Sequence, residues 1–126
     1  MNGASSLIAA FHELNRSEDK SVAYFTPSLI GMFGSAGIFD SFLSEIDAAL
    51  TSGTMPASIK KRAANLTGTF IPQVADYNGI NNPSQRIVTA DELRSISTES
   101  LEGRRNGVEV ILSALIAILK EASNMD

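Results

Sequence analysis

The C-terminal third of the chain contains its most apolar segment. Ten of the twelve residues from Val108 to Leu119 are apolar, and only Glu109 and Ser113 interrupt them. This segment lies within a predicted helix over about residues 99–122. A helix that is apolar on nearly every side has to be surrounded by other elements. The pattern therefore predicts a long apolar C-terminal helix, which is either the centre of a small bundle or a surface shared with another subunit.

Three amphipathic helices are predicted earlier in the chain. The first covers about residues 4–15, the second follows an apolar stripe over residues 38–50 and ends at Gly53, and the third begins at Pro56 and ends at Gly68. Proline is favoured in the first turn of a helix and glycine just beyond its end. The solvent side of the second helix is expected to carry Asp40, Ser41, Ser44, Glu45 and Asp47.

The periodic pattern stops after the third helix. Pro72, Pro83 and the Asn78-Gly79 pair are turn-forming residues, so we expect a long loop over about residues 69–88. Loops of more than about 12 to 15 residues are uncommon in compact domains unless they are functional or held by a partner. The length of this loop is therefore mild evidence for contact with another molecule.

Local signals complete the predicted fold. Thr89 and Glu92 have the spacing of a capping box, so a helix is expected to begin at Ala90. Thr26-Pro27 predicts a further short helix or turn. The chain length suits one domain. We therefore expect an all-α, single-domain helical bundle of five or six helices over residues 1–126.

Composition and charge narrow the functional classes. Apolar residues make up 44% of the chain and charged residues 19%, which is typical of a globular protein. The net charge of −4 disfavours non-specific binding to nucleic acid. The chain has no cysteine, which excludes disulfides, thiolate metal sites and cysteine nucleophiles.

No targeting segment is predicted. Residues 7–11 are apolar but too few for the hydrophobic part of a signal peptide, and no basic residue precedes them. No apolar run approaches the roughly 18 residues of a membrane-spanning helix. We expect a soluble protein, cytoplasmic or within a particle, without membrane insertion.

The sequence offers little for catalysis. His12 is the only histidine, and no second nitrogen ligand lies at helical spacing from it. We interpret His12 as an exposed or half-buried polar residue of the first helix. Gly31, Gly34 and Gly37 do not have the spacing of a nucleotide-binding loop. We therefore predict no catalytic, metal-binding or cofactor-binding residues, and a protein that is not an enzyme.

Two groups of residues are candidates for contact with other molecules. The apolar segment predicts an interface for self-association or for a protein partner, formed by Val108, Ile111, Leu112, Leu115, Ile116 and Leu119. Two basic clusters are candidates for contact with nucleic acid phosphates, formed by Lys60, Lys61, Arg62, Arg104 and Arg105.

One stretch of the chain resembles a known family. It contains, in order, Asn82-Pro83, the segment from Thr89 to Leu93, Arg104-Arg105 and a long apolar helix. This stretch is similar to the corresponding part of rod-shaped plant virus coat proteins of the tobamovirus type. In that family, arginines before the long helix contact RNA, so the resemblance implies this role for Arg104 and Arg105. The rest of the chain lacks the aromatic and proline pattern of the family, and we assign no family from it.

Three functional hypotheses follow. The first is a non-enzymatic structural or adaptor subunit of a homo-oligomer or multi-protein particle, such as a virion, that acts through helix packing. The second is a nucleocapsid-like subunit that coats nucleic acid through the basic clusters. The third is a small ligand-binding helical protein or enzyme, for which the sequence supplies only an apolar bundle interior.

Overall fold

The computed structural model consists of helices and the segments that connect them, without strands, in the part of the chain that it describes, residues 3–16, 36–73, 87–96 and 101–125. Within these residues there are five α-helices and one π-helical segment, Leu66–Phe70. The all-α prediction is confirmed. The α-helices are α1 (Gly3–Arg16), α2 (Ala36–Ser52), α3 (Ala57–Asn65), α4 (Ala90–Arg94) and α5 (Leu101–Asn124).

Local sequence signals set several of the helix ends. Gly53 has a φ of 86°, in the left-handed region that glycine tolerates best, and its N–H donates to the carbonyl of Ala49 at 2.9 Å. α2 therefore ends where the sequence predicts. The predicted capping box is also confirmed. Thr89 Oγ1 accepts from the Glu92 N–H at 3.1 Å, and the Glu92 carboxylate accepts from the Thr89 N–H at 3.5 Å.

The third helix is longer than predicted. It does not end at Gly68 but passes through it as the π-helical segment and returns to α-helix over residues 71–73. The ring of Pro72 would clash with the preceding turn of a regular α-helix, and a π turn opens that turn locally. Burial of Leu66 and Ile71 offsets the cost of a helical glycine.

The loop predicted over residues 69–88 is corrected accordingly. Residues 69–73 are helical, and residues 87–89 are non-helical. Residues 74–86 lie outside the described residues, as does the element predicted after Thr26-Pro27.

Burial of α5 organises the core. Residues 110–116, 118 and 119 of α5 are all buried, and they pack against α1, α3, α4 and the π-helical segment. α1 also contacts α2 and α4. Buried apolar residues from all five α-helices form one cluster.

The description of α5 as an apolar helix is not supported. The helix is long, but its exposed side carries Lys120 and Glu121. Among the residues that the structure describes, no helix has both the length and the apolar character needed to cross a membrane. Within the twelve-residue apolar segment, residues 110–116, 118 and 119 are buried, and Ala117 is exposed.

The burial of α5 leads to a stability prediction. Replacing Leu115, which is 1% exposed, with alanine removes buried apolar surface and leaves a cavity. We expect this to lower the free energy of unfolding by about 2 to 5 kcal/mol. Denaturant titration followed by circular dichroism measures the change. Asn124→Ala, at an exposed position of the same helix, is the control, and equal stability of the two variants would contradict this account of the core.

Candidate functional site

The predicted interface residues lie mostly inside the chain's own core. Ile111, Leu112, Leu115, Ile116 and Leu119 are all buried, with Ile116 the most accessible of them at 6% exposed. A side chain already covered by its own chain offers little further surface to a partner. Val108 belongs to α5, but its side chain is outside the described part. The role of these six residues in an interface stays a prediction.

The first basic cluster does not form one continuous surface. Consecutive helical residues differ in direction by about 100°, so Lys60, Lys61 and Arg62 project from α3 in three directions. Lys60 is half-buried, while Lys61 and Arg62 are exposed. Arg104 and Arg105 lie in α5, and their side chains are outside the described part of the structure. Contact of these residues with nucleic acid stays a prediction.

Arg62 has a contact within the protein. Its guanidinium carbon lies 4.5 Å from the centre of the Phe42 ring, in cation–π geometry. Phe42 belongs to α2 and is buried. The contact therefore connects the exposed side of α3 to α2, which gives Arg62 a structural role independent of any nucleic acid.

A chain of hydrogen bonds joins α1 to α2 at His12. Nδ1 of His12 lies 2.8 Å from Oδ1 of Asp40, and Nε2 lies 3.3 Å from Oγ of Ser44. A carboxylate only accepts hydrogen bonds, so Nδ1 carries the proton that is shared with Asp40. In the neutral ring Nε2 is then the acceptor, and the Ser44 hydroxyl donates to it. We call these three residues the His12 cluster.

The structure agrees with the interpretation of His12 as a half-buried polar residue of the first helix, and it adds the two partners that the sequence did not indicate. The His12 side chain is 16% exposed and that of Asp40 is 30% exposed, while Ser44 is exposed. The sequence contained part of the signal. Asp40 and Ser44 are four residues apart, so they lie on one face of a helix. The sequence does not indicate which residue of another helix faces Asp40 and Ser44.

The polar side of α2 is also less exposed than predicted. Glu45 is exposed as expected, but Asp47 is half-buried. One of its carboxylate oxygens, Oδ1, is buried and has no hydrogen-bond partner in the described part of the chain. Such an oxygen is a local cost to stability.

Arg94 forms two ion pairs, one from α4 to α1 and one within α4. Arg94 Nε donates to the Glu13 carboxylate on α1, and Arg94 Nη1 lies 3.6 Å from Oδ1 of Asp91. The hydrogen bond to Glu13 raises the pKa of Arg94. These groups are largely exposed, so solvent screens them and they orient α4 more than they stabilise it.

An apolar groove lies beside Ile87. Its volume is about 280 Å³. Its walls are formed by α1, by α5 and by residues 87 and 88, which precede α4. Ile87 projects beside it and is 92% exposed. Lys120 and Glu121 lie at its edge. We call this surface the Ile87 groove; its lining residues are Gly3, Ala4, Leu7, Ile87, Val88, Ser113, Ile116, Ala117, Lys120 and Glu121.

Comparisons of the chain with protein-family models, with curated proteins and with solved structures find no significant match. The resemblance to rod-shaped virus coat proteins therefore gains no support from them.

The cation–π contact gives a prediction that separates a structural from a nucleic-acid role of Arg62. In a double-mutant cycle of Phe42→Leu and Arg62→Gln, we expect a coupling free energy of about 0.5 to 1 kcal/mol, the usual range when the cation is exposed to solvent. Denaturant titration of the four proteins measures it. Lys61→Gln serves as the control in place of Arg62→Gln and should show no coupling with Phe42→Leu. Absence of coupling for Arg62 would contradict the structural role.

Proposed function

We propose that the protein is a structural or adaptor subunit that assembles through helix packing, with a second copy of this chain as its partner. The observation that carries the proposal is the exposure of Ile87, at 92%, beside an apolar groove. Burying an isoleucine side chain contributes about 1.5 to 3 kcal/mol. Ile87 and the lining of the groove together form one apolar surface, and it is contiguous apolar surface that indicates a contact with another protein.

The shape of this face supports a second copy rather than an unrelated partner. Ile87 is a protruding side chain, and the groove of about 280 Å³ next to it has room for an aliphatic side chain. In a two-fold dimer each copy presents the same face, so the projecting side chain of one copy can enter the groove of the other. One face of the chain thus supplies both complementary parts.

Charge at the edge of the groove supports the same arrangement. Lys120 and Glu121 are adjacent on α5 and have opposite charge. When two copies of α5 lie antiparallel about an axis beside these residues, the lysine of each copy faces the glutamate of the other. Opposite charges at the rim favour the correct orientation of a complex more than they add affinity.

One of the apolar residues predicted as an interface, Ile116, lines the Ile87 groove directly. Ile111, Leu112, Leu115 and Leu119 are buried in the same helix and hold α5 in place. In this proposal the role is non-enzymatic and needs no cofactor. Assembly into a larger particle would use further surfaces.

The test compares two exposed isoleucines. Ile87→Ser removes the projecting apolar side chain that, in the proposed dimer, enters the groove of the other copy. Ile38→Ser, at a position of α2 that is 49% exposed, is the matched control. Each dimer buries two copies of Ile87, so we expect Ile87→Ser to raise the dimer dissociation constant at least about tenfold. Ile38→Ser should leave it unchanged.

Sedimentation equilibrium of the two variants and of the unchanged chain measures the dissociation constant. Two outcomes would contradict the proposal. One is an unchanged chain that remains monomeric at about 100 μM. The other is a dimer that both substitutions weaken equally, which would place the contact elsewhere or make it non-specific.

A further inference from the structure

We propose that Ser44 is a reactive serine that accepts an acyl group from small activated esters. The proposal rests on the His12 cluster and is independent of the Ile87 groove. Ser44 Oγ lies 3.3 Å from Nε2 of His12, to which the hydroxyl donates when the ring is neutral, and Nδ1 of His12 lies 2.8 Å from Oδ1 of Asp40. The order of serine, imidazole and carboxylate is the order in which these groups activate a nucleophile.

The hydrogen-bond directions assign a role to each residue. Asp40 is a positioning residue, because its carboxylate holds the proton on Nδ1 and leaves the lone pair of Nε2 facing Ser44. His12 is the general base. Ser44 is the nucleophile, and it is exposed, so a small ester can reach its oxygen from solvent.

The acyl-transfer step balances without a cofactor. Ser44 Oγ forms a bond to the acyl carbon while its proton moves to Nε2 of His12. The bond between the acyl carbon and the leaving oxygen then breaks, and the leaving group takes the proton from Nε2. Water completes hydrolysis by attacking the acyl-serine, with His12 accepting a proton from the water and passing it to Ser44 Oγ as the acid leaves.

The position of Ser44 within a helix determines which species accumulates. Its backbone N–H lies inside α2, where the helical hydrogen bond uses it. The developing oxyanion is therefore stabilised by solvent rather than by fixed donors. Loss of one such donor costs serine hydrolases about 10² to 10³ in rate. We therefore expect slow turnover and an acyl-serine that persists long enough to be detected.

The experiment uses p-nitrophenyl acetate with the full chain. Intact-mass measurement detects the added acetyl group, and peptide mapping locates it. Ser41 is the internal control, because it is also exposed on α2 but is not part of the cluster. We expect Ser44 to be acetylated about 100-fold faster than Ser41, the lower end of the contribution of a general base.

Variants separate the roles of the three residues. Ser44→Ala should abolish labelling at that position, and Ser41→Ala should leave labelling of Ser44 unchanged. His12→Gln should reduce labelling of Ser44 to the rate of Ser41. Circular dichroism and the melting temperature identify any variant that loses its fold. For Asp40→Asn we expect slower labelling together with a change in the ¹⁵N chemical shifts of the imidazole, which report the nitrogen that carries the proton.

The single histidine makes these chemical shifts unambiguous. Three results would overturn the proposal. They are equal labelling of Ser41 and Ser44, labelling of Ser44 that survives His12→Gln, and an acetyl group found on His12 alone. The last result would show that the imidazole reacts by itself and that Ser44 is only its hydrogen-bond donor.

Discussion

The apolar residues of α5 have to be covered, and this requirement organises the rest of the molecule. Exposing a segment with ten apolar residues out of twelve would cost as much as the net stability of a small domain or more. α1, α3 and α4 supply the cover, together with the π-helical segment. The π-helical segment serves the same requirement. It continues the helical path beyond the end of α3 as far as Ile71, which is buried.

The position of α2 follows from a second contact, between aromatic rings. Phe11 of α1 and Phe39 of α2 meet edge to face, with their ring centres 5.8 Å apart, an arrangement that aromatic pairs prefer. Each ring is followed in the sequence by one member of the His12 cluster, His12 after Phe11 and Asp40 after Phe39. The packing of the two rings therefore fixes the register that brings the imidazole to the carboxylate.

This register explains how far sequence reasoning reaches. Patterns within one helix were sufficient for the bounds of α2, for the capping box at Thr89 and for the all-α class, because each depends on neighbours in the chain. The His12 cluster depends on how two helices align, and periodicity carries no information on that alignment. Ile87 was missed for a similar reason, since a single apolar residue before a helix does not reveal whether the fold covers it.

The two proposed surfaces share α1 but occupy different sides of it. Leu7 lines the Ile87 groove, and His12 follows it by five residues. At about 100° per residue, five residues turn the helix by about 140° from its starting direction, so the imidazole points well away from the groove. A second copy bound at the groove would therefore leave Ser44 accessible. Assembly and acylation can accordingly be measured on the same protein, and failure of one proposal leaves the other intact.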